Sequence, residues 1–450
     1  MVSAESLNFD VLQIIFAHLS VPDLASVSQV NRSFLEGALP SLYRSLGFYL
    51  NQAKGYPRIV TPFAVVSARP DLAAHVQSID IRVIPNVRVK QRTFPDPRFF
   101  RDCISALEVS DSLTSFTCTV GSTLPRLLPF IQSKPRLRTL RIEAGLTREQ
   151  SEHLCQIRGL HSLALENASS AVMDALPKWA GSLKFTMEHL TIHMSPYLNG
   201  TVLQSTVQHL PRLRSFYVVG CLGTTHIDTL AVIEHTPFLE SLALTVWGTV
   251  SDCFTQDAGR SVFMDLGIPD SYLTRKELVL PVSLFSFLQS LTRSTRLASL
   301  ALRLSEQQQF PTSFVNKIME MHGPHLRAVR FMGFMVSLRG LESLMGCDRL
   351  EKLAISIPTD DIVSLPSFYS FASVLAASTS LHTLIDVVNH GTYGKRTPLT
   401  TDRVKLLLEE VHSLTRVVSE NRLWSVRAGC WLIILLYWPL TFEFLGFQFL

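Results

Sequence analysis

One short pattern, apolar-x-x-apolar-x-apolar, returns eleven times and constrains the fold of this chain more than any other feature. It begins at Val76, Leu113, Leu137, Leu160, Met187, Leu213, Leu239, Leu297, Leu326, Leu350 and Leu381, as in LRTLRI, LHSLAL and LEKLAI. The starts are separated by 37, 24, 23, 27, 26, 26, 58, 29, 24 and 31 residues, so eight of ten intervals fall within 23 to 31, which is hard to obtain by chance. Alternating apolar positions at the end of each copy indicate a short, half-buried strand. Most copies follow a helix-like run that closes on a turn signal, such as VLQSTVQHLP or FVNKIMEMHGP. One strand and one helix cannot bury their own apolar face, but stacked copies share a continuous core. With 47% apolar and 17% charged residues, the chain has the composition for an extensive core.

This pattern resembles a leucine-rich-repeat solenoid of the longer, irregular type found in fungal proteins. The resemblance implies an α/β fold over residues 51–400, with a parallel sheet on the concave side and helices on the convex side. The asparagine usual after the last strand position is mostly missing; only Cys221 and Asn389 stand there with a suitable residue. Asp386 occupies an apolar place, so the last copy is expected to be half-exposed. Leu140, Leu163, Leu190, Phe216, Leu242, Leu300, Val329 and Leu353 occupy one place in successive copies and are expected to form one buried column.

Two long intervals mark insertions. The stretch near 84–100 is rich in proline and cations (Arg88, Lys90) and reads as a solvated loop. The stretch 248–285 holds either a degenerate copy near Leu278 or a projecting loop. At the end of the chain, residues 401–427 read as an amphipathic capping helix started by Asp402, with Val404, Leu407, Leu408, Val411, Leu414 and Val418 inward. Residues 428–450 then carry one charge, Glu443, and seven aromatics. Pro439 and Glu443 count against a membrane span. Three readings stay open for this tail: a membrane anchor, a strip packed on the last copies, or a segment outside the fold.

The first fifty residues are of another kind. Val11, Leu12, Ile15, Phe16 and Leu19 share one helical face; Val21 and Pro22 interrupt it, and Asp23 and Asn31 are placed to cap two further helices. Forty residues bury too little surface to be comfortably stable alone. The order Leu-Asn-Phe-Asp-Val-Leu-x-x-Ile-Phe-x-x-Leu, then Pro-Asp-Leu, Val-Asn-Arg-x-Phe and Leu-Tyr-Arg resembles the F-box. That motif docks substrate receptors onto the Skp adaptor of cullin-based ubiquitin ligases. Carried onto this chain, the resemblance implies adaptor contacts at Leu7, Val11, Leu12, Ile15, Phe16, Leu19, Pro22, Leu24 and Val27, with a cullin reached through the adaptor. Asn8 departs from the family's proline, which leaves the helix start less preorganised by ~0.5 kcal/mol.

No motif for catalysis, a cofactor or a metal accompanies these features: the chain lacks Gly-x-x-x-x-Gly-Lys, Gly-x-Gly-x-x-Gly, Gly-x-Ser-x-Gly and His-Glu-x-x-His. His189 and His193 fall on one strand face ~13 Å apart, too far to share a metal, and are expected at the surface. The net charge of +4 is too small for the length to argue for nucleic acid. Seven scattered cysteines without Cys-x-x-Cys fit a reducing compartment, cytoplasmic or nuclear, and the start of the chain has no secretory leader. What remains is protein binding. On the concave face the larger side chains fall into two groups, Arg141, Glu143, Glu166, His193 and Tyr217, then Arg303, Arg330 and Met332, as candidate contacts to a protein target. The sequence therefore reads as a non-catalytic substrate-recognition adaptor of a ubiquitin ligase, or as a repeat scaffold without a role in ubiquitin transfer.

Overall fold

The computed structural model describes residues 8–89, 92–246, 297–309, 312–357, 368–387, 399–419, 422–427 and 430–435. The chain divides into two compact units, Met1–Tyr197 and Leu198–Leu450.

The first unit opens with three helices, α1 (Phe9–Phe16), α2 (Val21–Val27) and α3 (Arg32–Leu42). Strand β1 (Ser45–Phe48) follows after two residues, then helix α4 (Leu50–Gly55). The sheet continues with β2 (Ser78–Ile81), is interrupted by the antiparallel hairpin β3 (Asn86–Val89) and β4 (Arg92–Pro95), and resumes with β5 (Ser115–Cys118), β6 (Thr139–Glu143), β7 (Ser162–Glu166) and β8 (His189–His193). Strands β1, β2, β5, β6, β7 and β8 pair in that order, all parallel. Helices such as Leu124–Gln132 and Ser170–Ser182 return the chain between strands, as parallel pairing requires.

The second unit repeats the scheme with β9 (Ser215–Val219), β10 (Ser241–Val246), β11 (Ser299–Gln309), β12 (Ala328–Met335), β13 (Lys352–Ile355), β14 (Thr383–Asp386) and β15 (Arg416–Ser419), again parallel in sequence order. Two antiparallel strands, β16 (Arg422–Arg427) and β17 (Cys430–Leu435), extend it.

All eleven pattern copies are strands, and their registers put equivalent residues side by side. Leu140, Leu163 and Leu190 align in the first unit; Phe216, Leu242, Leu300, Val329 and Leu353 align in the second. All eight are essentially inaccessible, each contributing about 2 kcal/mol of apolar transfer. Copies are tied together by the main chain. Within each unit the carbonyl just before a strand accepts two N–H groups from the next copy, as Arg44 does from Gln77 and Ser78, Arg138 from His161 and Ser162, and Arg327 from Glu351 and Lys352. Because that tie uses backbone only, it does not depend on the asparagine the repeats lack.

Several expectations change. Residues up to 50 are not all helical, because Tyr43-Arg-Ser-Leu46-Gly-Phe48 is itself a copy of the pattern and becomes β1. The helix expected over 401–427 stops at Glu410. Leu414-Thr-Arg-Val417-Val-Ser419 is another copy, with serine in the last apolar place, and pairs with β14 as β15. Thr400, not Asp402, caps that helix, accepting from Arg403 N. Asp386 is buried rather than half-exposed, because its carboxylate accepts from Ile357 N at 3.1 Å and Ser419 Oγ at 2.7 Å. The stretch near 84–100 holds a hairpin and the start of the helix Pro97–Val109 instead of a loop. Of the tail, Cys430–Leu435 is a strand paired with β16; 436–450 and the insertion at 248–285 lie outside the described residues, as does Asn389.

Candidate protein-docking site

Helix α1 reads FDVLQIIF, six apolar residues in eight, so no single stripe can take them all. Leu12 and Phe16 turn inward and form a small core with Leu24 of α2 and Ala38 of α3, against which Leu19, Val27, Phe34 and Leu42 pack. The rings of Phe16 and Phe34 are 5.4 Å apart. Gly37 admits the close approach of α1 to α3: a Cβ there would lie 3.1 Å from Leu12 Cβ and 3.2 Å from the Phe16 ring. Asn8 holds φ −60°, the value a proline would impose, so the helix starts in the same geometry without the ring. Asn31 caps α3, its Oδ1 accepting from Phe34 N at 2.8 Å. For α2 the cap is Ser20 rather than Asp23. Ser20 Oγ donates to the Asp23 carboxylate at 2.5 Å, and Pro22 lies in the first turn, where its missing N–H costs nothing.

The residues left outside are as informative as the core. Val11, Ile15 and Pro22 are exposed, as are Ile14 (65%), Val21 (65%) and Val30 (63%), so the three helices present an apolar surface around a core that is already complete. Of the adaptor contacts expected from sequence, Leu12, Phe16 and Leu24 are 2–3% exposed and cannot meet a partner without opening their own core. Leu19 and Val27 are half-buried, and Leu7 lies outside the described residues. Ile14, Val21 and Val30, all exposed, were not among the residues expected from sequence. The available signal was the all-round apolar composition of α1, which exceeds what one intramolecular face can use.

The sheet face opposite the Leu140 column differs between the units. In the first, Gly47, Asp80, Thr117, Arg141, Ala164 and Thr191 stand in register, with Glu143, Glu166 and His193 in a second column. This face is polar and bonded to itself. Arg141 Nε donates to Glu166 Oε1 at 2.6 Å, with both side chains 8% exposed. Arg82 Nε donates to Asp80 Oδ1 at 2.6 Å, Tyr49 OH donates to Asp80 Oδ2 at 3.3 Å, and Glu143 Oε2 accepts from Gly121 N at 2.8 Å. His193, expected at the surface, is buried.

In the second unit Tyr217, Ala243, Ala301, Arg330, Ala354, Ile385 and Val418 stand in register. Tyr217, Val219, Ala243 and Ala301 form a buried cluster with Met332 against it, and Ala354, Ile385 and Val418 form another with Val387 and Leu423. Tyr217 thus shares a cluster with Met332, which the sequence grouping had placed apart from it. Of the candidate target contacts only Arg303 is exposed; Glu143, Arg330 and Met332 are partly so, and Arg141, Glu166, His193 and Tyr217 are buried. Burial lowers the pKa of Arg330, and Tyr217 opposes that shift.

Burial also pushes up the thiols of Cys103, Cys118 and Cys347, and that of Cys155 to about 11, so these sulfurs stay protonated and behave as small apolar groups. Among the described residues no group of three His, Cys, Asp or Glu side chains is placed to hold a metal ion. No described helix is long and apolar enough to cross a membrane.

Comparison with known proteins bears on the first forty residues. No curated protein matches the chain. Among solved structures, the chain is similar to one in the crystal structure of the yeast Rad7 and Elc1 complex, at 13% identity and a TM-score of 0.49, covering 86% of this chain and 91% of that one. A chain in the TLR13–ssRNA13 complex is similar at 12% identity and a TM-score of 0.30, covering 76% and 46%. Neither TM-score reaches 0.5, and the fold stands on the strand pairing described above. The family match is to the F-box domain and spans residues 5–36, the same helices that bury Leu12, Phe16 and Leu24 and expose Ile14, Ile15 and Val21. Residues 5–36 of this chain are an F-box domain.

Proposed function

We propose that this chain is a substrate-recognition adaptor of a Skp–cullin–F-box ubiquitin ligase, in which α1–α3 dock a Skp-type adaptor and the strand–helix repeats hold the target protein. The observation that carries this reading is the F-box domain itself, with a complete internal core and an exposed apolar surface at Val11, Ile14, Ile15 and Val21. Such a surface gains about 1–2 kcal/mol for each large side chain buried on docking. The chain's role is proximity: holding the target raises the effective concentration of its lysines near a charged ubiquitin carrier, with the chemistry supplied by other subunits. For the target, Arg303, Arg330 and Met332 of the second unit are the proposed contacts. They combine an exposed cation with an apolar surround, the mixture that anchors interfaces.

The test is a pull-down of the full chain with a purified Skp-type adaptor, comparing wild type with the double variant Ile14→Asp, Ile15→Asp. Both side chains are exposed, so the fold is retained. The wild type should bind and the variant should lose at least tenfold in affinity. Absence of wild-type binding would overturn the ligase reading.

A further inference from the structure

The stretch after the F-box has an unusual charge pattern. From Gly37 to Ala68 the chain carries Arg44, Lys54 and Arg58 and no aspartate or glutamate. All three cations are exposed, and none forms an ion pair or side-chain hydrogen bond with a described residue. Arg69, just beyond, is by contrast held by Asp71 at 2.5 Å. Three aliphatic side chains stand exposed among these cations: Leu50, Ile59 and Val60, the last at 76%.

We propose that this shoulder, Arg44 with α4 and the loop to Val60, is a second docking surface, and that its occupant is an acidic stretch of the same adaptor polypeptide that the F-box engages. The inference rests on the proposed function and extends the contact beyond residues 5–36. Two structural facts support it. First, the shoulder continues the F-box without a linker, since Arg44 lies two residues past the end of α3 and directly before β1. Second, local contacts define its conformation. Tyr49 N donates to Gln52 Oε1 at 2.8 Å to box the start of α4. Gly55 lets Ile59 fold over it, where a Cβ would lie 3.2 Å from Ile59 Cγ2. Behind the loop, the Tyr56 ring meets Phe99 edge-on at 6.1 Å, and the Phe99 ring lies 4.5 Å from that of Phe48, tilted by 50°. A preorganised patch loses little entropy on binding. Three cations alone would give nucleic acid only a weak, strongly salt-dependent hold, whereas cations interleaved with exposed aliphatics fit a protein surface.

The experiment measures binding of a purified Skp-type adaptor to the full chain by calorimetry at low and high salt. Wild type is compared with Lys54→Glu plus Arg58→Glu, and separately with Val60→Asp. Each variant should bind about tenfold more weakly at low salt with an unchanged thermal midpoint, and the charge-reversal pair should show a flatter salt dependence. Wild-type binding that neither variant weakens would overturn this inference and leave the F-box reading intact. No wild-type binding would overturn both. Loss of binding to a single-stranded oligonucleotide in the charge-reversal variant, with adaptor binding unchanged, would also overturn it in favour of nucleic acid.

Discussion

The two units use one repeat and treat the sheet face away from the Leu140 and Leu242 columns in opposite ways. In Met1–Tyr197 that face is made of Asp80, Arg82, Arg141, Glu143, Glu166 and His193, and its charges are answered within the face. In Leu198–Leu450 the equivalent positions are Tyr217, Ala243, Ala301, Arg330, Ala354 and Ile385, and the face forms two apolar clusters on either side of Arg330. The lesson is that the repeat pattern specifies one side of each strand and leaves the other free to diverge. A buried ion pair such as Arg141–Glu166 is weak evidence of stability, because desolvation offsets most of its Coulomb energy. It does set what the face can accept: a paired, polar surface tolerates another polar group, and an apolar one does not.

The same substitution at equivalent places offers the sharpest test. Ala243 lies between Tyr217 and Ala301, while Ala164 lies between Arg141 and Thr191. Ala243→Asp should destabilise the chain by about 4 kcal/mol, as an uncompensated buried charge, and Ala164→Asp by about half as much because Arg141 is its neighbour. Chemical denaturation measures both, and equal costs would erase the contrast between the faces.

Next in size is the ion pair. Glu166→Ala leaves the Arg141 guanidinium buried without its carboxylate and should cost about 3 kcal/mol. Replacing both partners, Arg141→Met with Glu166→Leu, should restore most of that loss. If the double variant is as unstable as the single one, the pair contributes more than mutual neutralisation.

The smallest effect is a pH dependence in the second unit. His322 is buried at the end of the helix Thr312–His322, and no described residue hydrogen-bonds its Nε2. Burial, with His325 nearby, pushes its pKa down to about 4. Between about pH 6.5 and 4 the unfolded chain binds this proton and the folded chain does not, so stability present above 6.5 is lost as pH falls through that window. Over the single unit from pH 6.5 to 5.5 the loss is about 1 kcal/mol, and His322→Gln should flatten the thermal midpoint against pH across that range.

How much of this was legible in the sequence varies by residue. The Leu140 and Leu242 columns were read correctly because strand periodicity puts every second side chain on one face whatever surrounds it. Strands β1 and β15 were missed for local reasons. Tyr43 to Phe48 was counted with the helical module, and Ser419 replaces the last apolar residue of its copy. In α1 the inward residues Leu12 and Phe16 and the outward Val11 and Ile15 were placed in one list, since a helix that is apolar all round does not say which side is already occupied.

The sequence by itself determined the repeat, its core column and the F-box helices, because these follow from spacing and from side chains a few residues apart. Only the tertiary structure decided which α1 residues remain free, that Arg141 meets Glu166 across 25 residues of chain, that Tyr217 packs with Met332, and that Asp386 is buried by Ile357 and Ser419. Neighbouring strands stand about 4.8 Å apart, so the partner of each side chain on the diverged face comes from the next copy. With intervals of 23 to 58 residues, no local pattern records which residue that will be.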